Sequence, residues 1–97
     1  MWRKIEDELV AMGIYPNLLG FDCICIIVEK IISLEVIKIM QLYDIVADIK
    51  NTTPKAVERA IRTAKSKCNC DCYKKLKNSE FLYALALNIK REVHESE

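Results

Sequence analysis

Five charged side chains, Lys55, Glu58, Arg59, Arg62 and Lys65, fall within eleven residues of one another, and their types suit the reading of nucleic acid. An arginine guanidinium is a planar fork that bonds both major-groove acceptors of guanine, and a carboxylate accepts from the amino group of cytosine. Glu58 and Arg59 together therefore have the chemistry to read a G·C-containing step. Arg62, one helical turn on, suits a second base or a phosphate. Lys55, Lys65 and Lys67, with Lys50 and the Thr52 and Thr53 hydroxyls, suit phosphates, which set register and salt dependence without encoding sequence. The plainer alternative is an ion pair between Glu58 and Arg62 at i, i+4 on an ordinary surface helix, worth only a few tenths of a kcal/mol.

The cysteines offer a rival chemistry. Cys68, Cys70 and Cys72 alternate, Cys23 and Cys25 lie upstream, and His94 lies near the end. Structural zinc sites usually pair ligands separated by two or more residues, so Cys-x-Cys-x-Cys would need a strained wrap, and no metal or other cofactor is expected. Cys23 and Cys25 are expected to pack as small hydrophobes. An exposed loop over 68–72 beside the basic helix leaves redox sensing open. Catalysis has nothing to stand on, because no serine, cysteine or carboxylate forms a recognisable arrangement with the single histidine.

These side chains need a helix to align them. Asn51, Thr52 and Thr53 are cap-type residues and Pro54 suits a first helical turn, so the spacing predicts a helix over about 53–67. Val57, Ala60, Ile61 and Ala64 would then face a core, with Lys55, Glu58, Arg59, Arg62 and Lys65 on the opposite side. A second amphipathic segment, LYDIVADIK, precedes it across a tight Asn-Thr-Thr turn, the arrangement of a helix-turn-helix. Upstream, Trp2, Ile5, Leu9 and Met12 predict a helix over 1–12 closed by Gly13, with Trp2 either a core anchor or an exposed aromatic. The run over 18–33 is apolar almost all round and is expected to be a helix through the middle of the bundle. The segment 34–50 is either one helix or broken near Gln41. A last helix is expected from Asn78 or Ser79, with Phe81, Leu82, Leu85, Ile89 and Val93 as its apolar stripe and 92–97 as a frayed tail.

The formal net charge of +1 conceals an uneven distribution. Residues 50–77 carry 9 basic and 2 acidic side chains, while 1–49 carry 4 and 8, and 78–97 carry 2 and 4. Such a concentrated basic middle is the electrostatic footprint of a surface that meets phosphates, although a solvated lysine-rich face has the same composition. No secretory leader is evident, and the apolar stretch over 18–40 is interrupted by Asp22, Glu29, Lys30, Glu35 and Lys38, so a cytoplasmic protein with no membrane span is expected.

Asn51-Thr52-Thr53, the run Val57-Glu58-Arg59-Ala60-Ile61-Arg62 and the later Asn78-Ser79-Glu80-Phe81 resemble the C-terminal DNA-binding domain of the sporulation-initiation response regulator of endospore-forming bacteria. Tyr43 and Ala47 match the first helix of that domain's helix-turn-helix. The resemblance implies that Glu58, Arg59 and Arg62 belong to a recognition surface. It also marks departures: Ala56 stands where that family carries a basic residue, Thr63 replaces a histidine, and the segment after Lys67 is shorter and would lack a small helix. The family's parent protein carries a receiver domain ahead of this one. A chain that is all effector would act constitutively, through its abundance, or by competing at shared sites.

The expectation is a single domain over 1–97, all-α, a small bundle of about five helices containing a helix-turn-helix. Its expected partner is double-stranded DNA, as a transcriptional regulator, with a homodimer on adjacent half-sites because one such helix offers few base contacts. The last helix, with Phe81, Leu85 and Ile89, is a candidate for contacts between copies. The competing expectation is a protein-interaction module or antagonist whose basic face holds an acidic protein partner.

Overall fold

The computed structural model describes residues 2–33 and 38–95, without the side chains of 93–95. The start of the 34–50 segment, the Val93 and His94 side chains and the last two residues lie outside the described residues. Among the described residues six helices follow one another: α1 Trp2–Ala11, α2 Leu19–Ile32, α3 Ile39–Ile49, α4 Pro54–Ser66, α5 Asp71–Lys74 and α6 Asn78–Glu95. The sixth, beyond the five expected, is α5, a single turn retained in the shortened cysteine segment. Helix α2 closes at Ser33, and α3 starts after an extended Lys38, three residues ahead of Gln41. Helix α6 runs through Glu95, past the point where fraying was expected.

Helix α2 is the axis of the bundle and packs against α1, α3, α4 and α6. Its Phe21, Cys23, Ile24, Cys25, Ile27 and Val28 are all buried, as a helix enclosed on most sides requires. Around it, Ile5 and Leu9 of α1, Leu42 and Val46 of α3, Val57 and Ile61 of α4, and Phe81, Leu82, Leu85 and Ile89 of α6 complete one continuous core. Each such side chain contributes about 1.5–3 kcal/mol by leaving water. Phe81, Leu85 and Ile89 are therefore spent inside the molecule, and the large apolar side chains that α6 turns outward are Tyr83 and Leu87. Trp2 is half-buried against the core.

Two helix ends use the same device. After α1, Gly13 takes a φ of 90° and the Gly13 and Ile14 amides return to the carbonyls of Val10 and Leu9 at 3.0 and 2.9 Å. After α3, Asn51 takes a φ of 54° and the Asn51 and Thr52 amides bond to Asp48 and Ala47 at 3.3 and 2.8 Å. Both are left-handed C-terminal caps with paired returning bonds, and asparagine is the residue besides glycine that best tolerates that conformation. The cap after α3 makes the tight turn into α4.

Candidate nucleic-acid interface

Helix α4 begins as its sequence dictates. Thr53 is extended and its Oγ1 accepts the Ala56 amide at 3.1 Å, while Pro54 occupies the first turn. Val57, Ile61 and Ala64 are fully buried beneath it, which fixes the direction of the opposite side. Lys55, Arg59 and Arg62 lie on that outer crest at i, i+4 and i, i+7 spacing, all exposed. Arg59 has no hydrogen-bond or ion-pair partner among the described residues, and Lys55 likewise.

How far the crest stands out is set by α2. A Cβ built on Gly20 would come within 2.2 Å of the Ala60 carbonyl oxygen and 2.7 Å of the Ala64 Cβ, so only glycine lets the two helices approach this closely. An open cleft of about 260 Å³ beside that contact is bordered by Leu19, Ala56, Arg59 and Thr63. The two positions that depart from the expected pattern, Ala56 and Thr63, thus share one flank of α4 with Arg59.

The other flank carries Glu58 and Arg62, paired at 2.8 Å with both side chains substantially exposed. The plain ion-pair alternative is therefore formed in the unbound protein, and its exposure keeps its stabilisation to a few tenths of a kcal/mol. The Glu58 backbone carbonyl accepts the Asn78 side-chain amide at 3.1 Å, which ties the start of α6 to the middle of α4. Asn78 is thus a strut and not a cap. At the start of α6 the Glu80 carboxylate accepts the Lys77 amide at 3.0 Å, so Lys77 holds the capping position expected of Asn78 or Ser79.

Lys65 does not belong to the exposed face. It is 9% exposed, its aliphatic stem lies against the core, and its ammonium donates to the Leu76 carbonyl oxygen. The physical reason is the chain beyond α5, which folds back over this flank of α4 and turns an outward position into a covered one. Burial, with Arg62 nearby, lowers the Lys65 pKa below the ordinary lysine value. Lys50 is half-buried and held at 3.0 Å by Asp22 of α2, so it faces the bundle in the unbound protein. Lys67 is exposed but caps the far end of α4, about 18 Å from Lys55 along the axis. Thr52 is half-buried and Thr53 exposed, its hydroxyl accepting the cap bond while its hydrogen remains free to donate.

Between α3, this flank of α4 and the start of α6 lies an open groove of about 420 Å³. Ile39, Met40 and Tyr43 form its apolar side, and Glu58, Arg62, Lys65, Lys77, Asn78 and Ser79 the polar side. Burial raises the Tyr43 pKa, with Glu58 adding to the effect, so the phenol stays neutral. Lys77 and Ser79, which line this groove, were not among the expected site residues. Lys77 counted only toward the basic middle of the chain, and its position beside α4 depends on the fold-back that also covers Lys65.

Of the cysteines, Cys23 and Cys25 are buried as expected, but Cys68 is fully buried too, so only Cys70 and Cys72 of the expected loop reach the surface. No group of three His, Cys, Asp or Glu suited to a metal ion occurs among the described residues. No described helix is long and apolar enough to cross a membrane.

No curated protein and no solved structure matches the chain. A family model described as "Sporulation initiation factor Spo0A C terminal" matches residues 5–84, which takes in α2 through α5 whole, most of α1 and the first turns of α6. With all of the candidate helix-turn-helix and most of the core inside that match, the chain belongs to the family of the sporulation initiation factor Spo0A C-terminal domain.

Proposed function

We propose that the protein binds double-stranded DNA sequence-specifically and regulates transcription, with α4 as the recognition helix. Membership of the family supports the coarser part of this reading, a DNA-binding domain of transcription regulation. The observation that supports the finer part is the exposed Arg59, without a partner among the described residues, on a crest whose opposite side is locked into the core by Val57, Ile61 and Ala64. In this reading Arg59 bonds a guanine edge and Glu58 accepts from a cytosine. Arg62 exchanges Glu58 for a second base or a phosphate. Lys55, Lys67 and the Thr52 and Thr53 hydroxyls hold backbone phosphates, with Lys50 joining them by leaving Asp22. Lys65 makes no direct contact. Two copies on adjacent half-sites supply the affinity that one short helix lacks.

The test is a titration of labelled duplexes at two salt concentrations, with Arg59→Ala beside the wild type. The expected result is a steep salt dependence in both proteins and, in the variant, a loss of preference worth about 1–3 kcal/mol at one base position. Uniformly weak binding to every duplex would overturn the reading.

A second reading, a module for an acidic protein partner, is favoured by Met40, 64% exposed on the apolar side of the groove between α3 and α6. It predicts that Met40→Ala weakens a protein complex and leaves duplex binding as it was.

A further inference from the structure

We propose that the groove between the start of α3, the middle of α4 and the start of α6 seats a phosphodiester of the DNA strand running beside the recognition helix, with Lys77 and Ser79 as its ligands. This rests on the reading of α4 as the recognition helix and extends it to residues outside the helix-turn-helix.

Three cations, Arg62, Lys65 and Lys77, line one groove whose one lining carboxylate, Glu58, is already paired with Arg62. Lys65 cannot reach out, because its ammonium is bonded to the Leu76 carbonyl oxygen behind the groove. It acts instead as a fixed, covered charge, which solvent ions screen less than an exposed one. Lys77 is exposed, and its backbone N–H, not its ammonium, makes the cap with Glu80, so the ammonium is free to move onto an anion. The Ser79 hydroxyl has no hydrogen-bond partner among the described residues and opens into the same groove. Opposite them, Ile39 and Tyr43 present an apolar wall of the kind that packs a deoxyribose. Position fits as well: the groove opens along the flank of α4 that carries Glu58 and Arg62. A strand bordering the major groove that α4 enters must pass that flank, and it offers a phosphate every 3.4 Å or so of helix rise.

The test compares Lys77→Gln and Ser79→Ala with Lys90→Gln, which removes the same charge as the first but lies thirteen residues, roughly 20 Å, further along α6. Lys77→Gln keeps the backbone cap, so the fold should hold, and circular dichroism checks it. Binding is measured to a preferred and a scrambled duplex across a salt series. The expected result for Lys77→Gln is an affinity about fivefold to tenfold weaker on both duplexes, unchanged sequence preference, and a salt slope shallower by about 0.9, the value of one lost phosphate contact. Ser79→Ala weakens both duplexes by about threefold with no change in slope, and Lys90→Gln changes the slope by less than half as much as Lys77→Gln. A neutral methylphosphonate walked along the duplex should weaken the wild type at one position and leave Lys77→Gln indifferent there.

If the wild type keeps its preference while Lys77→Gln behaves as Lys90→Gln does, the groove proposal falls and the recognition helix stands. If the wild type shows neither preference nor salt slope, the DNA reading fails and takes the groove with it. If a glutamate-rich peptide binds the wild type more tightly than any duplex and is lost in Lys77→Gln, the groove belongs to a protein partner and the proposal is overturned.

Discussion

Cys23, Cys25 and Cys68 are closed off from solvent, Cys70 is half-exposed and Cys72 is exposed, so the five thiols should separate by reactivity. The backbone amides of Tyr73 and Cys72 face the Cys70 sulfur and lower its pKa below the ordinary thiol value. A lowered pKa means more thiolate at a given pH, and the thiolate is the species that reacts. Burial, with Glu6, Asp22 and Glu29 nearby, pushes Cys25 up to about 12. Alkylation of the native protein followed by mass spectrometry is therefore expected to mark Cys70 and Cys72 first, with the Cys70 rate rising at lower pH than in the urea-unfolded chain. Cys25 should react only on unfolding. The linkage follows in sign: the unfolded Cys25 thiol ionises near its ordinary value while the folded one holds its proton, so stability falls as pH rises from there toward about 12. Lys65 shows why exposure is the harder property to anticipate. Helical spacing put it on the exposed face with Lys55, Glu58, Arg59 and Arg62, but the returning Leu76 backbone that covers it comes from eleven residues away and leaves no local mark.

The turn and start of α4 were legible because each rests on short-range chemistry. Thr53 as a side-chain cap, Pro54 in the first turn, Gly13 after α1 and the buried Val57, Ile61 and Ala64 all follow from spacing that a few residues reveal. Helix α6 starts where expected, at Asn78, but its cap was misread for a related reason. Asn78 is a good cap by type, but its amide is drawn to the Glu58 carbonyl of another helix, a tertiary demand that outranks the local one. Close approach of α2 to α4 was also hidden, since nothing in the run over 18–33 marks Gly20 as a contact point until the Ala60 carbonyl is seen against it. Gly20→Ala must displace backbone, not a flexible side chain, and is expected to lower stability by about 1–3 kcal/mol in a denaturant titration. The same change should weaken duplex binding, since α4 would be pushed out of line. A variant as stable as the wild type would show that the two helices can part without cost.

All six helices draw on one core, and the radius of gyration, 12.4 Å, matches the roughly 12.5 Å expected for a folded chain of this length. An all-α bundle was legible from the apolar run of α2 and from the few helix breakers, whereas the way α5 and its neighbours wrap over α4 was not. Thermal unfolding followed by far-ultraviolet and near-ultraviolet circular dichroism should give coincident single transitions, because the buried side of α4 belongs to the same core as α2, α3 and α6. Two separated transitions would mean that α4 melts as an independent unit. The seat that Gly20 provides has a last implication for speed and selectivity. With the Ala60 carbonyl seated close against the Gly20 backbone, α4 has little room to roll or slip, and the azimuth of Arg59 is set by the fold. If α4 reads DNA as proposed, a duplex would meet a stylus already pointed, with little motional freedom left to be surrendered at the moment of contact.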